Sequence, residues 1–241
     1  MLKLSTTKLD QVPRAICFDL DGTLLDSENY YYETMGAWLQ RHFGVSITKE
    51  EYVYYETVLD DKIIEYLLEQ ERLGQHTLSD EPSLRAAIAD DWLVHYDSLI
   101  ESAETAKNAA LLHAFEQQTE VPLALVSCSQ PVFVDPFVDA YGLDKAFSLV
   151  LTGASVKKLK PDPEIYQLAL DELGLPGSEV ATVEDAARGI IPAQAVGMTV
   201  VRPLAYLPCY EPLANVIETA DIAGALDLFA DALGIRYIEL V

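Results

Sequence analysis

The stretch Ala15-Ile16-Cys17-Phe18-Asp19-Leu20-Asp21-Gly22-Thr23 constrains the fold of this chain more than any other. Its first four residues are apolar and predict a buried strand, which two carboxylates and a glycine end at once. Side chains of an extended chain alternate faces, so Asp19 and Asp21 point the same way, roughly 6–7 Å apart, while Leu20 turns back to the core. Two acids at the open end of a strand make either a divalent-cation site or a nucleophile paired with an acid/base. A calcium loop shares the Asp-x-Asp-Gly spacing but requires Gly at its sixth position and Glu at its twelfth. Counting from Asp19 gives Leu24 and Tyr30, and counting from Asp21 gives Asp26 and Tyr32, so neither register fits.

Beyond this strand the pattern is helical to about residue 107. Helices are expected over 26–43 (capped by Ser27 and stopped by Gly44), 47–59, 61–73 and 81–100. No strand-like apolar run interrupts this block, which marks 27–107 as an inserted all-helical domain. From there on, strands and helices alternate. Strands are expected at 121–126, 147–151, 180–183 and 199–201, with a weaker one or two after Ile217. Helices are expected at 109–118, 132–141 and 189–196, with another after Ile217. Asp162-Pro163 opens one more helix, Asp as its cap and Pro in its first turn, and Gly174 ends it. Alternation of this kind predicts an α/β core, a doubly wound, Rossmann-like parallel sheet built from 1–26 and 108–241 and covered on both faces. Ligands of such sheets sit outside the carboxyl ends of the strands.

The apolar runs ending at Asp19, Ser127 and Val183 deliver their polar residues to that one rim. It gathers Asp19, Asp21, Ser127, Glu184 and Asp185, with Lys160 supplied by the loop Lys157-Lys158-Leu159-Lys160-Pro161. Four carboxylates in one crevice repel one another unless a cation intervenes. A hard divalent ion with oxygen ligands, Mg²⁺, answers this best, with Lys160 adding fixed positive charge.

Sixteen basic against thirty-nine acidic side chains give a net charge of −23, a surface that repels nucleic acid and anionic lipid. A small anionic substrate stays compatible with it, because a lysine and a bound cation dominate the field within one cleft. Cys17, Cys128 and Cys209 form no C-x-x-C pair and are odd in number, against a disulfide framework or zinc site. No apolar run reaches the roughly eighteen residues of a membrane span, so the expectation is a soluble cytoplasmic protein.

Asp19-Leu20-Asp21-Gly22-Thr23, Ser127, Lys160-Pro161-Asp162-Pro163 and Glu184-Asp185 resemble, in order, the four signatures of the haloacid dehalogenase superfamily of phosphotransferases. The likeness spans the core and is greatest to the beta-phosphoglucomutase-like phosphatases, which carry a helical cap after the first signature. It implies that Asp19 is a nucleophile forming an aspartyl phosphate and that Asp21 is the acid/base. It further implies that the Ser127 hydroxyl, the Cys128 backbone N–H and Lys160 hold the phosphate. Mg²⁺ would be bound by Asp19, the Asp21 carbonyl and Asp185, with Glu184 direct or through water. Two features narrow the reaction. Tyr31 stands where the sugar-phosphate mutases of the subgroup carry a His, and Asp21 is absent from the dehalogenases and replaced in the phosphonate-cleaving relatives. Hydrolysis of a small phosphorylated metabolite is therefore expected, with a phosphomutase as the alternative and an idle binding module as a third reading. The tyrosines of the cap, Tyr30, Tyr31, Tyr32, Tyr52, Tyr54 and Tyr55, are expected to pack helix faces with their hydroxyls at the surface. Were Tyr54, Asp60 or Asp61 to face the crevice, they would suit hydroxyl-rich neutral groups, favouring a sugar or polyol monophosphate.

Overall fold

The computed structural model describes residues 8–58, 62–205 and 213–235. Asp60, Asp61 and Cys209 lie outside them. Among the described residues, six parallel strands form one sheet: β1 (Ala15–Phe18), β2 (Leu123–Val126), β3 (Phe147–Leu151), β4 (Val180–Val183), β5 (Thr199–Pro203) and β6 (Val216–Thr219). Their order is β3-β2-β1-β4-β5-β6, the doubly wound arrangement, with the direction of winding reversing between β1 and β4. Asp19 stands at that reversal.

Period-two alternation divides the apolar side chains between two layers. Ile16, Phe18, Leu123, Leu125, Ala181 and Val183 face one side, where α5 (Ala103–Glu116), α6 (Pro131–Tyr141) and α9 (Ile222–Leu233) cover them with Leu112, Phe137 and Phe229. Ala15, Cys17, Ala124, Val126 and Val180 face the other, under Tyr166 of α7 (Glu164–Leu173) and Ile190 of α8 (Ala187–Ala195).

Between β1 and β2 run α1 (Ser27–Phe43), α2 (Lys49–Tyr52), α3 (Ile63–Glu69) and α4 (Glu81–Ile100), which have a third apolar cluster of their own around Met35, Trp38, Leu67 and Ile88. The far end of α4 leaves this cluster: Tyr96, Leu99 and Ile100 join the layer that contains Phe137. The helix predicted over 47–59 starts later, at Lys49, because Thr48 and Glu51 form a capping box, and it loosens into a π-helical segment at Val53–Val58. Ser27 is not the cap of α1. That position falls to Asp26, and the Ser27 hydroxyl instead accepts the Gly22 N–H at 2.9 Å, bracing the turn after β1. Asp162 is not the cap of α7 either: that position falls to Pro163, and Asp162, one residue earlier, accepts the Glu164 N–H at 3.1 Å. Among the described residues no helix is long and apolar enough to cross a membrane.

Candidate active site

Each strand around the reversal point extends one hydrogen bond beyond its last residue. Asp19 N–H donates to Val183 at 3.0 Å, Ser127 N–H to Leu151 at 3.0 Å, and Glu184 N–H to Val201 at 3.0 Å. The backbone of each polar residue is thus held by the same ladder that holds the core. These ladders bring the predicted residues to one rim, and Asp19, Asp21, Cys128, Lys160, Glu184 and Asp185 line a single cavity of about 160 Å³. Ser127 sits behind it, buried, with its hydroxyl oxygen accepting the Ser129 N–H at 3.0 Å.

Lys160 is 5% exposed and its ammonium is fully engaged by acceptors: Asp19 Oδ1 at 2.7 Å, the Val126 carbonyl at 3.0 Å and Glu184 Oε1. Burial alone would favour loss of its proton, but Asp19 and Glu184 hold its pKa well above the ordinary lysine value. Across from it, burial and the neighbouring Glu184 push the carboxyl of Asp19 well above the usual carboxylate range, against the pull of Lys160. Burial and Glu184 do the same to Asp185. The pull of the Lys160 ammonium on Asp19, and of Arg202 on Asp185, does not offset these effects.

Carboxylate oxygens of Asp19, Glu184 and Asp185 lie within 4.8 Å of one another, close enough to share one ion. Among the described residues the buried Asp185 Oδ2 has no hydrogen-bond partner, which is costly for a carboxylate oxygen. Gly22, at φ +72°, leaves room for that oxygen, since a Cβ there would fall 2.2 Å from it. An all-oxygen donor set with an unsatisfied carboxylate fits a hard divalent cation.

Asp21 is held differently. Its Oδ1 accepts from the Tyr31 hydroxyl of α1 at 3.1 Å, and its Oδ2 from the Ser129 hydroxyl at 2.5 Å. Tyr31 packs against Trp92 of α4, ring centroids 4.5 Å apart, and both line the cavity with Glu28 and Tyr52. The prediction of surface hydroxyls therefore fails for most of the cap tyrosines. Tyr30 donates to the Trp92 carbonyl at 2.5 Å, Tyr32 to the Ile47 carbonyl at 3.4 Å, and Tyr52 is buried; Tyr54 alone of those weighed for the crevice is described, and it is 50% exposed. Hydroxyls of an amphipathic helix turn inward when the face they share meets a polar cleft, which sequence periodicity does not encode. Ser129, Glu28, Trp92, Arg188 and Tyr166 also went unsingled in the sequence. Ser129 alone had a signal, its place two residues beyond a strand-end serine.

A family model for haloacid dehalogenase-like hydrolases matches residues 13–197, a span that includes all of these groups. The chain belongs to the haloacid dehalogenase-like hydrolase family. Within the family it is 29% identical over 188 residues to the validoxylamine A 7'-phosphate phosphatase of Streptomyces hygroscopicus subsp. limoneus, covering 75% of this chain and 81% of that one. It is 23% identical over 184 residues to the phosphorylated carbohydrates phosphatase of Thermotoga maritima, covering 76% and 82%. The fold matches that of CbbY from Rhodobacter sphaeroides, solved in complex with phosphate, at a TM-score of 0.67 and 21% identity over 88% of this chain and 95% of that one.

Proposed function

We propose that this hydrolase is a Mg²⁺-dependent phosphatase that cleaves the phosphate monoester of a small metabolite through an aspartyl phosphate on Asp19. The observation that carries the reading is the buried set Asp19, Glu184 and Asp185 within 4.8 Å, bridged by Lys160 and adjoining a second, separately held carboxylate on Asp21. In this reading residues 1–26 and 108–241 form the catalytic core and 27–107 the cap that reads the substrate. The free thiols of Cys17 and Cys128 suit the reducing cytoplasm.

The steps follow from the residues present. A carboxylate oxygen of Asp19 attacks phosphorus as the ester P–O bond breaks, and the proton that the leaving oxygen needs comes from Asp21. Water then attacks the same phosphorus, Asp21 takes its proton, and Asp19 departs as carboxylate with inorganic phosphate as product. Lys160 donates to Asp19 throughout and the Cys128 N–H meets the phosphoryl oxygens, while Ser127, whose hydroxyl oxygen accepts the Ser129 N–H behind the cavity, has its own O–H to donate toward them. Asp19, Glu184, Asp185 and the Asp21 carbonyl would hold Mg²⁺, which when bound supplies charge neutralisation for nucleophile and phosphoryl group.

The substrate that suits the cavity is a sugar or polyol monophosphate. The rings of Trp92, Tyr31 and Tyr52 that line the cavity suit a carbon skeleton, and the Glu28 carboxylate beside them suits its hydroxyls. Both curated relatives described above are named for phosphorylated substrates, one of them for carbohydrates. Burial holds the Tyr31 hydroxyl well above its ordinary pKa, so it donates a hydrogen bond near neutrality and does not shuttle protons as a mutase histidine would. A panel of phosphorylated metabolites, run with wild type beside Asp19→Asn at saturating Mg²⁺, tests the reading. Release of inorganic phosphate from a hexose 1-phosphate by wild type alone supports it. A new sugar phosphate without release would make the protein a mutase, and an unchanged rate in Asp19→Asn would remove the nucleophile from Asp19.

A further inference from the structure

Glu184 carries its hydrogen bonds on one oxygen. Oε1 accepts from the Tyr166 hydroxyl at 2.7 Å and from the Lys160 ammonium, while among the described residues no hydrogen bond falls on Oε2. Tyr166 is fully buried in α7 and does not line the cavity itself. Its ring also lies under the ammonium, 4.9 Å from Nζ to the centroid. Gly189 lies against the carboxylate as a whole, since a Cβ there would fall 1.9 Å from Oε1 and 2.3 Å from Oε2. The carboxylate is therefore fixed in rotation by a hydroxyl, an ammonium and a glycine Cα from three separate elements.

We propose that Tyr166 is a positioning residue of the metal site: by occupying Oε1 together with Lys160, it leaves Oε2 of Glu184 as the oxygen that would serve a divalent ion. This rests on the Mg²⁺ reading above and adds a residue to it. A hydroxyl donated to one oxygen of a ligating carboxylate sets the orientation of the other, and outer partners of this kind typically govern metal affinity by about 10–100-fold. The same ring steadies Lys160 by a cation–π contact, so hydroxyl and ring have separable duties.

The test is Mg²⁺ binding by calorimetry, repeated with Mn²⁺ by electron paramagnetic resonance, on resting protein without substrate. Tyr166→Phe keeps the ring over Lys160 and removes the hydroxyl alone. It should weaken Mg²⁺ binding about tenfold or more. Tyr141→Phe, which removes a hydroxyl donated to the Ile100 carbonyl at 2.6 Å, should bind as wild type does. Should Tyr166→Phe misfold, its circular dichroism reveals this, and Glu184→Gln measured alone and with Tyr166→Phe supplies the coupling: without a carboxylate to orient, the second change should cost little further affinity. Wild-type affinity in Tyr166→Phe, or equal losses in Tyr166→Phe and Tyr141→Phe, would overturn the assignment while leaving the phosphatase reading intact. Absence of Mg²⁺ binding by wild type would overturn both.

Discussion

Replacing Lys160 with methionine keeps the volume of the side chain and removes its charge. The ammonium is donated to Asp19 Oδ1 at 2.7 Å, to Glu184 Oε1 and to the Val126 carbonyl at 3.0 Å, and it is almost wholly shielded from water. Deleting one partner of a buried ion pair typically costs about 3–5 kcal/mol, because the surviving charge keeps its desolvation penalty. Here two carboxylates lose their counter-charge and Asp185 adds a third nearby, which places the expected loss in the upper part of that range. For a chain of this length about 1 kcal/mol corresponds to roughly 2–4 °C in Tm, so metal-free Lys160→Met should melt about 10–20 °C below wild type. Saturating Mg²⁺ should recover part of this, about 2.7 kcal/mol at a hundredfold excess over Kd. Removing one of the stranded charges should help as well, making Lys160→Met/Glu184→Gln more stable than Lys160→Met. Differential scanning calorimetry with and without Mg²⁺ measures all three. A drop under about 2 °C, or no recovery in the double variant, would refute the view that Lys160 neutralises this cluster.

Gly22→Ala should lower Mg²⁺ affinity about tenfold or more by calorimetry, since its Cβ would press Asp185 Oδ2 from 2.2 Å and its positive φ adds strain of roughly 1–2 kcal/mol. Tyr31→Phe should slow hydrolysis of an alkyl phosphate about tenfold more than that of p-nitrophenyl phosphate, whose leaving oxygen needs little protonation; equal effects on the two would show that Tyr31 only packs. Glu51 gives a pH dependence. Its partial burial is outweighed by the Thr48 N–H and Arg72, which hold its carboxyl below the ordinary range, so its contribution is present above the unfolded value of about 4.3 and is lost as pH falls through the folded one. Glu51→Gln should therefore cost no more than about 1 kcal/mol near neutrality, with the gap to wild type closing in acid denaturation profiles below pH ~4.

The parts of this molecule that were legible in its sequence are those in which local pattern and tertiary position coincide. A buried strand must be apolar and its end must leave the sheet, so Asp19, Ser127 and Glu184 announce both their secondary structure and their place on the rim. Parallel winding then fixes that they meet. Tyr166 shows the opposite case. Its spacing with Ile165, Ala169 and Leu170 marks a buried helix face, but nothing in that stripe tells that its hydroxyl ends on a carboxylate 18 positions away. Tyr31 and Ser129 converge on Asp21 from α1 and from the turn after β2, a meeting set by how the helical block sits on the core. The break in the expected helix at Val53 had a partial sign, the Thr48-x-x-Glu51 capping box, which dates the start of α2 but does not foretell its π-helical exit.

In this mechanism the phosphoryl group passes to one aspartate before water receives it. Rapid acid quenching during turnover of a phosphate monoester, followed by mass spectrometry of the peptide that contains Asp19, tests this directly. The expected result is a phosphoryl group on Asp19 in wild type, accumulating when release of the second step is slowed in Asp21→Asn and absent in Asp19→Asn. Steady turnover with Asp19 never phosphorylated, or a phosphoryl group found on another residue, would contradict it.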